Sequence, residues 1–288
     1  GGDWSRGGGG GGGVAPLVLV AGGAGPPSGA AQTLAFGVSD ETAWRAGLPC
    51  GGRIEILVLR LDRETGVALL ERLLDLERRR VASVAVTDIS TGKMTIHAAD
   101  GDRLSVSAGH AAARSRGLIE TGDERLFVHV RTPPPRVVVV GATHIAQHLA
   151  GMLRGIGYAT LIVDPRTAYA SAERFPGLEV VHAWPDDAMS GGSLDRFTAV
   201  AAVSHNPDID DGAIRLGLAA DCFYVGALGS KLNHARRRER LAAAGVSRAR
   251  LDRIRAPIGL DIGAVGAAEI AVSILAEIVA ERRRAFAT

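Results

Sequence analysis

Cysteine is scarce in this chain: two in 288 residues, at positions 50 and 222, 172 apart. That excludes a disulfide framework and the Cys-x-x-Cys spacing of zinc and redox sites, and it points to a reducing compartment, taken here as the cytoplasm. No apolar run approaches the roughly 18–20 residues that cross a bilayer, and no charged-apolar-small signal precedes a cleavage site. The apolar "VAPLVLVA" at 14–21 reads as a strand, not a span. A formal net charge of only +2 lacks the strongly basic footprint of a general nucleic-acid binder. Any recognition by charge has to be local. The first residue is not Met, from which we expect a fragment or a misplaced start.

What is present describes a globular protein. The chain is long enough for one large or two ordinary domains, and 47% apolar with 22% charged residues lies near the globular average. Glycine is concentrated at the start: "GGDWSRGGGGGGG", residues 1–13, buries no side chains and is expected to be a disordered tail. Without a following Gly-Lys-Ser/Thr its seven consecutive glycines are not a phosphate-binding loop.

Periodicity then divides the chain. "RIEILVLRL" from 53 alternates as a strand, "GVALLERLLDLERRR" carries helical spacing, and "VASVAVTD" returns to strand, with further strand-like runs at 93–98, 103–107 and 125–131. We expect a mixed α/β domain over 14–131. Three consecutive prolines in "RTPPPR" then stiffen the chain, so 132–135 is expected to be a linker. From 136 to 288 strands and helices alternate: "VVVVG" at 137–141, "THIAQHLAGMLRGIG", "TLIVD" at 160–164, "LEVVHA", "FTAVAAVSH" and "FYVGALGS", with helices at 210–219, 230–244 and a last one ending in arginines that suit its dipole. The expected fold is α/β, a mixed N-terminal domain followed by a doubly wound parallel sheet of Rossmann type.

Four loops carry residues suited to chemistry. "VVVVGATHIAQHLA" lies where a dinucleotide fingerprint lies, ahead of a helix N-terminus that can receive a phosphate. Gly141 fills the first glycine position, Thr143 and Ala146 fill the second and third, His144 follows, and Asp164 closes the second strand 23 residues on, where a ribose-binding acid belongs. A phosphate-bearing ligand, an ordinary NAD site and a purely structural role all remain open. In "SHNPDIDDGAI", Ser204, His205, Asp208 and Asp211 are placed to bind a polar ligand; the alternative is an Asn206-Pro207-Asp208 turn with Asp210 capping the helix. In "GALGSKLNHARRRERL", Gly229, Ser230 and Lys231 repeat the strand-end layout, and Arg236 with Arg240 share a helix face suited either to an anion or to solvent. "PIGLDIGAVG" places Asp261 in a loop of tight turns. His144 and His148 have the spacing of a metal pair, with no third ligand evident. Near the N-terminus Cys50 precedes Gly51 and Gly52, whose N–H groups suit an anion or a thiolate; a buried structural cysteine is the alternative.

The blocks "FGVSDETAWRAGLPCGGRIEILV", "FYVGALGSKLNHARRRERLAAAG" and "PIGLDIGAVGAAEIAVSILAEIVAERR" together resemble the XdhC/CoxI family, in order over residues 36–284. Its members are accessory proteins of molybdenum hydroxylases such as xanthine dehydrogenase and aerobic carbon monoxide dehydrogenase. The resemblance implies a chaperone that binds the molybdenum cofactor, supports its sulfuration by a cysteine desulfurase and delivers it to the apo-hydroxylase, with a homodimer left open. It implies that Cys50 touches molybdenum or carries sulfur. It further implies that Gly141, Thr143 and the following helix start, with Lys231 and Arg236, take the phosphate end of the pterin or a nucleotide form. One departure stands out: the upstream Gly-Ser-Val-Ser-Gly-Gly-Cys block of the family is absent here, and only "GGAGPPSG" is similar to its second segment, so the N-terminal domain is expected to be incomplete. Two other readings stay in play: a nucleotide-dependent oxidoreductase using NAD, and a scaffold that binds protein alone.

Overall fold

A computed structural model of the chain describes residues 17–20, 31–38, 52–60, 63–98, 117–121 and 124–286. They fall into two compact units, one ending at Pro133 and one spanning Pro134–Ala287. The expectations for the 1–13 tail, the 103–107 strand, Cys50 and Gly51 concern residues outside that description.

In the first unit β1 (Leu17–Val20), β2 (Ala31–Val38) and β3 (Gly52–Arg60) form a sheet of order β1-β3-β2, with β1 parallel and β2 antiparallel to β3. Next come α1 (Arg63–Arg78), β4 (Ser83–Asp88), β5 (Met94–Ala98), β6 (Gly117–Thr121) and β7 (Glu124–Arg131), the four strands making an antiparallel sheet of order β5-β4-β7-β6. The β4–β5 turn is local chemistry: Asp88 Oδ1 accepts the N–H groups of Ser90 and Thr91 at 2.8 and 3.2 Å, which turns the chain back on itself. Residues Thr132–Pro135 carry neither helix nor strand.

The second unit contains β8 (Arg136–Val140), α2 (His144–Gly155), β9 (Ala159–Val163), β10 (Glu179–Val181), α3 (Pro185–Ala188), β11 (Thr198–Ala202), α4 (Pro207–Ala219), β12 (Tyr224–Ala227), α5 (Lys231–Ala243), α6 (Arg248–Leu251), β13 (Ile254–Arg255) and α7 (Ala267–Ala285). Its strands form one wholly parallel sheet of order β10-β9-β8-β11-β12-β13. The unbroken valines of β8 are explained by burial on both faces, the condition of a strand inside a doubly wound sheet. Val137 and Val139 pack with Leu149, Leu153, Ile274 and Ile278 of α2 and α7, while Val138 and Val140 pack with Ile209, Ile214 and Leu218 of α4. Helix α2 buries Ile145, Ala146, Leu149, Ala150 and Leu153, the stripe its spacing predicts. The architecture is the doubly wound one expected from the strand–helix alternation.

Two local readings change. The helix expected at 210–219 begins at Pro207 and is capped by Asn206, whose side chain accepts the Asp208 N–H; Asp210 is therefore no cap but a fully buried residue within the first turn. Proline at the first helical position explains the earlier start, since its missing N–H is one the helix leaves unpaired anyway. The strand order also fixes where a ligand would lie. It reverses between β8 and β11, and the crevice beyond the carboxyl ends of those strands is the topological switch point of such sheets.

Candidate functional site

At the switch point the β8–α2 and β11–α4 loops touch. Gly141 has φ +100°, and a Cβ there would lie 2.5 Å from both the Cα and the N of Ser204. Only glycine permits that approach. Thr143 caps α2, its side chain accepting the Ala146 N–H at 3.4 Å, while His144 follows exposed at the first helical position. The His144 and Ile145 N–H groups have no acceptor within the helix and face the edge of the sheet with the positive end of the dipole.

The β12–α5 loop repeats the design. Gly229 takes φ +128°, Ser230 caps α5 by accepting the Asn233 N–H at 3.2 Å, and Lys231 stands exposed in the first turn. Between these two starts, α4 is different. Its leading N–H groups are satisfied by Asn206, and Asp208 and Asp210 sit in its first turn, so it does not invite an anion. His205, exposed ahead of it, is held at φ +63°, a conformation few L-residues adopt.

The two buried acids of the edge are already engaged. Asp164 is fully buried; its Oδ1 accepts the N–H and Nε of Arg166, each at 2.9 Å, and its Oδ2 accepts the Ala142 N–H and Arg166 Nη2, each at 2.7 Å. Burial pushes this carboxyl up, but the Arg166 guanidinium and the two backbone donors outweigh it and hold the group below the usual aspartate value. Asp210 Oδ1 accepts Ser204 Oγ at 2.6 Å and the Ser204 N–H at 3.2 Å, which fixes the loop against Gly141. Burial raises this carboxyl, and the bonds from Ser204 and the charge of Arg237 offset only part of the rise.

Arg237 ties the second and third loops together. It is buried, donates from Nη2 to the Leu228 carbonyl at 2.8 Å, and lies 3.9 Å from Asp210 Oδ2 and 3.7 Å from Asp211 Oδ1. The latter two are ion pairs, too long for hydrogen bonds. Asp210 Oδ2 and Arg237 Nε and Nη1 remain buried without hydrogen-bond partners.

Of the residues expected at a site, the structure brings Gly141, Thr143, His144, His205, Asp208, Gly229, Ser230 and Lys231 to the carboxyl ends of β8, β11 and β12. Asp164 reaches the same edge but presents no carboxylate to a ribose, because both oxygens are occupied. Arg236 and Arg240 do not form an anion pair: Arg240 binds Asp211 with two bonds, 2.6 and 3.1 Å, and Arg236 is exposed. Asp261 is exposed in the loop between β13 and α7. Gly52 opens β3 in the first unit, and Cys50 with Gly51 lies outside the described residues. The other cysteine, Cys222, is buried, and burial pushes its thiol up to about 12. Among the described residues no three His, Cys, Asp or Glu side chains gather to hold a metal, and no helix is long and apolar enough to cross a membrane.

Sequence reasoning overlooked Arg166, Arg174 and Arg237. A signal existed for the last: Arg237 and Leu241, four apart, share the buried stripe of α5.

Comparison with known proteins shows what these features resemble. Residues 137–278 match the family described as the XdhC Rossmann domain. The chain is 30% identical over 160 residues to a Bacillus subtilis protein named as a probable component of xanthine dehydrogenase, a stretch covering 55% of this chain and 46% of that protein. It is 31% identical over 150 residues to the molybdenum cofactor insertion chaperone PaoD of Escherichia coli, covering 52% of this chain and 41% of PaoD. The chain thus matches less than half the length of these curated relatives. A crystal structure described as a xanthine dehydrogenase from Bacillus halodurans superposes with a TM-score of 0.60 at 22% identity, covering 89% of this chain and 76% of that one, a likeness of fold.

Proposed function

From the match of residues 137–278 to the XdhC Rossmann domain and the likeness to a molybdenum cofactor insertion chaperone, we propose that this chain is a molybdenum-cofactor insertion chaperone for a hydroxylase of the xanthine dehydrogenase type. The cargo is a pterin with a phosphate and a dithiolene-held metal. Its phosphate suits the edge described above: the open N–H groups of α2 and α5 offer donors, Lys231 adds charge, and Gly141 keeps the loops clear of a side chain.

The observation that carries the reading is the engagement of the acids. Asp164 spends both oxygens on Ala142 and Arg166, and Asp210 is fully buried with one oxygen held by Ser204, so neither is disposed as a general base toward a ligand. An edge that offers donors while its buried carboxylates are turned inward is suited to holding an anion and releasing it intact. The opposing reading, a nucleotide-dependent oxidoreductase, draws on the strand order and on the position of Asp164 at the end of β9. It needs that carboxylate for the ribose, and the carboxylate is taken.

Sulfuration belongs to the finer part of the proposal. A cysteine desulfurase supplies the sulfur, Cys50 of the Cys-Gly-Gly motif is the thiol that meets the metal or the sulfur, and the completed cofactor passes to the apo-hydroxylase in the reducing cytoplasm. Cys222 is unsuited to that part, being buried and with its thiol pushed up to about 12. The test is hydroxylase activation by cofactor presented on the chain, with free cofactor as control. Activation above the control by the wild-type chain, reduced in Cys50→Ser at unchanged melting temperature, supports the account. Equal activation with and without the chain, or hydride transfer from bound NADH to a substrate, contradicts it.

A further inference from the structure

The cluster at the end of β9 bears on which chemical group the site accepts there. Resting on the reading of this edge as an anion-binding site, we propose that Arg166, with Arg174 behind it, forms a subsite for a phosphorylated terminus and excludes a free ribose diol.

An ionised carboxylate has about four lone-pair positions. Asp164 has four donors on its two oxygens, at 2.7–2.9 Å, and its side chain is 0% exposed. Nothing is left to accept the hydroxyls of a sugar, the usual task of an acid at this position in a dinucleotide-binding sheet.

The outward group is the arginine. A guanidinium carries five N–H donors, and Arg166 commits its Nε and one Nη2 hydrogen to Asp164. The remaining edge points away from the carboxylate on a side chain 32% exposed, and the plane is steadied over the Tyr169 ring at 4.2 Å. Arg174 adds a second guanidinium whose bonds run to neutral acceptors: Nη1 to the carbonyls of Ala142 and Tyr169, both at 2.8 Å, and Nη2 to Gln147 Oε1 at 3.2 Å. The cluster therefore holds two cations and one carboxylate. The Ala142 carbonyl and N–H both belong to it, so the positive charge adjoins the loop that leads into α2. The other acid whose charge acts on Arg166, Asp210, is itself opposed by Arg237. An anion there gains charge-assisted bonds from a preorganised planar donor; a neutral diol finds donors but no acceptor.

The experiment is calorimetric titration of the full chain at low salt with matched pairs: NADP against NAD, and adenosine 2′,5′-bisphosphate against adenosine 5′-monophosphate. The 2′-phosphorylated member of each pair is expected to bind about tenfold or more tightly, the scale of a charge-assisted hydrogen bond. Arg166→Gln is expected to remove about tenfold from the phosphorylated member and to leave the diol member within about twofold. Arg166→Lys, which keeps charge but not the fork, should retain part of the preference. Should Arg166→Gln fail to fold, the wild-type pairs alone decide. Equal affinities, tighter binding of the diol member, or no binding of any of the four overturns the subsite. The chaperone reading is decided separately, by whether the chain retains molybdenum cofactor.

Discussion

Replacing Gly141 with alanine tests whether the contact between the first two loops holds the site together. The new methyl has to occupy a backbone conformation at φ +100° and lie 2.5 Å from the Cα and N of Ser204, so the obstacle is backbone rather than a side chain that swings aside. A left-handed conformation costs an L-residue about 1–2 kcal/mol, and forcing a methyl into packed surroundings about 1–3 kcal/mol more. Together these amount to about 2–5 kcal/mol, and at about 2–4 °C per kcal/mol for a unit of this size the melting transition should fall by about 4–20 °C. Gly157→Ala is the control: its φ is +77° but nothing lies within 4 Å of an added Cβ, so only the conformational term of about 1–2 kcal/mol applies. Differential scanning calorimetry of the two variants separates the terms. Equal shifts would refute the argument that close approach to Ser204 requires glycine.

Further outcomes follow from the buried charges. Arg237→Met removes the cation paired with buried Asp210 and should cost about 3–5 kcal/mol in chemical denaturation, with Asp210→Asn restoring part of it in the double variant; additive losses would refute the coupling. Asp164, held below its unfolded value, contributes stability that is present above about pH 3.9 and is lost as pH falls through the lower folded value; Asp164→Asn should flatten that acid limb of the melting profile, and an unchanged limb would refute the assignment. Iodoacetamide at pH 8 should leave Cys222 unmodified in the native protein and alkylate it after denaturation, read by peptide mass spectrometry; native labelling would contradict its burial and raised thiol.

Much of the second unit was legible in the sequence for identifiable reasons. A run such as "RVVVV" admits little besides a strand buried on both faces, and the spacing of Ile145, Leu149 and Leu153 admits little besides a helix packed on it. Strand β2 escaped because "AQTLAFGV" mixes Ala and Gly into the alternation and so lacks the β-branched density that marks a strand. The site was legible as a set of loops and illegible as a set of bonds. Asp210, read as a cap, shares the stripe of Ala213, Ile214 and Gly217 in α4, and that periodicity was the available clue to its burial. Arg240 was paired with Arg236 by spacing along one helix, whereas its partner, Asp211, comes from another, a relation local periodicity does not carry. Asp164 stood where a ribose acid stands, but the arginine two residues later occupies it.

The central claim, that this chain holds the molybdenum cofactor by its phosphate end at the carboxyl edge of the six-stranded sheet, is tested most directly by retention. The full chain is incubated anaerobically with isolated molybdenum cofactor and passed over a gel-filtration column, and molybdenum and pterin are measured in the protein peak. The account predicts near-stoichiometric co-elution of both, reduced by high salt as charge is screened, and reduced in Lys231→Ala and Gly141→Ala relative to wild type. Cofactor that elutes entirely free of a folded chain, or retention unaffected by both substitutions and by salt, would contradict it.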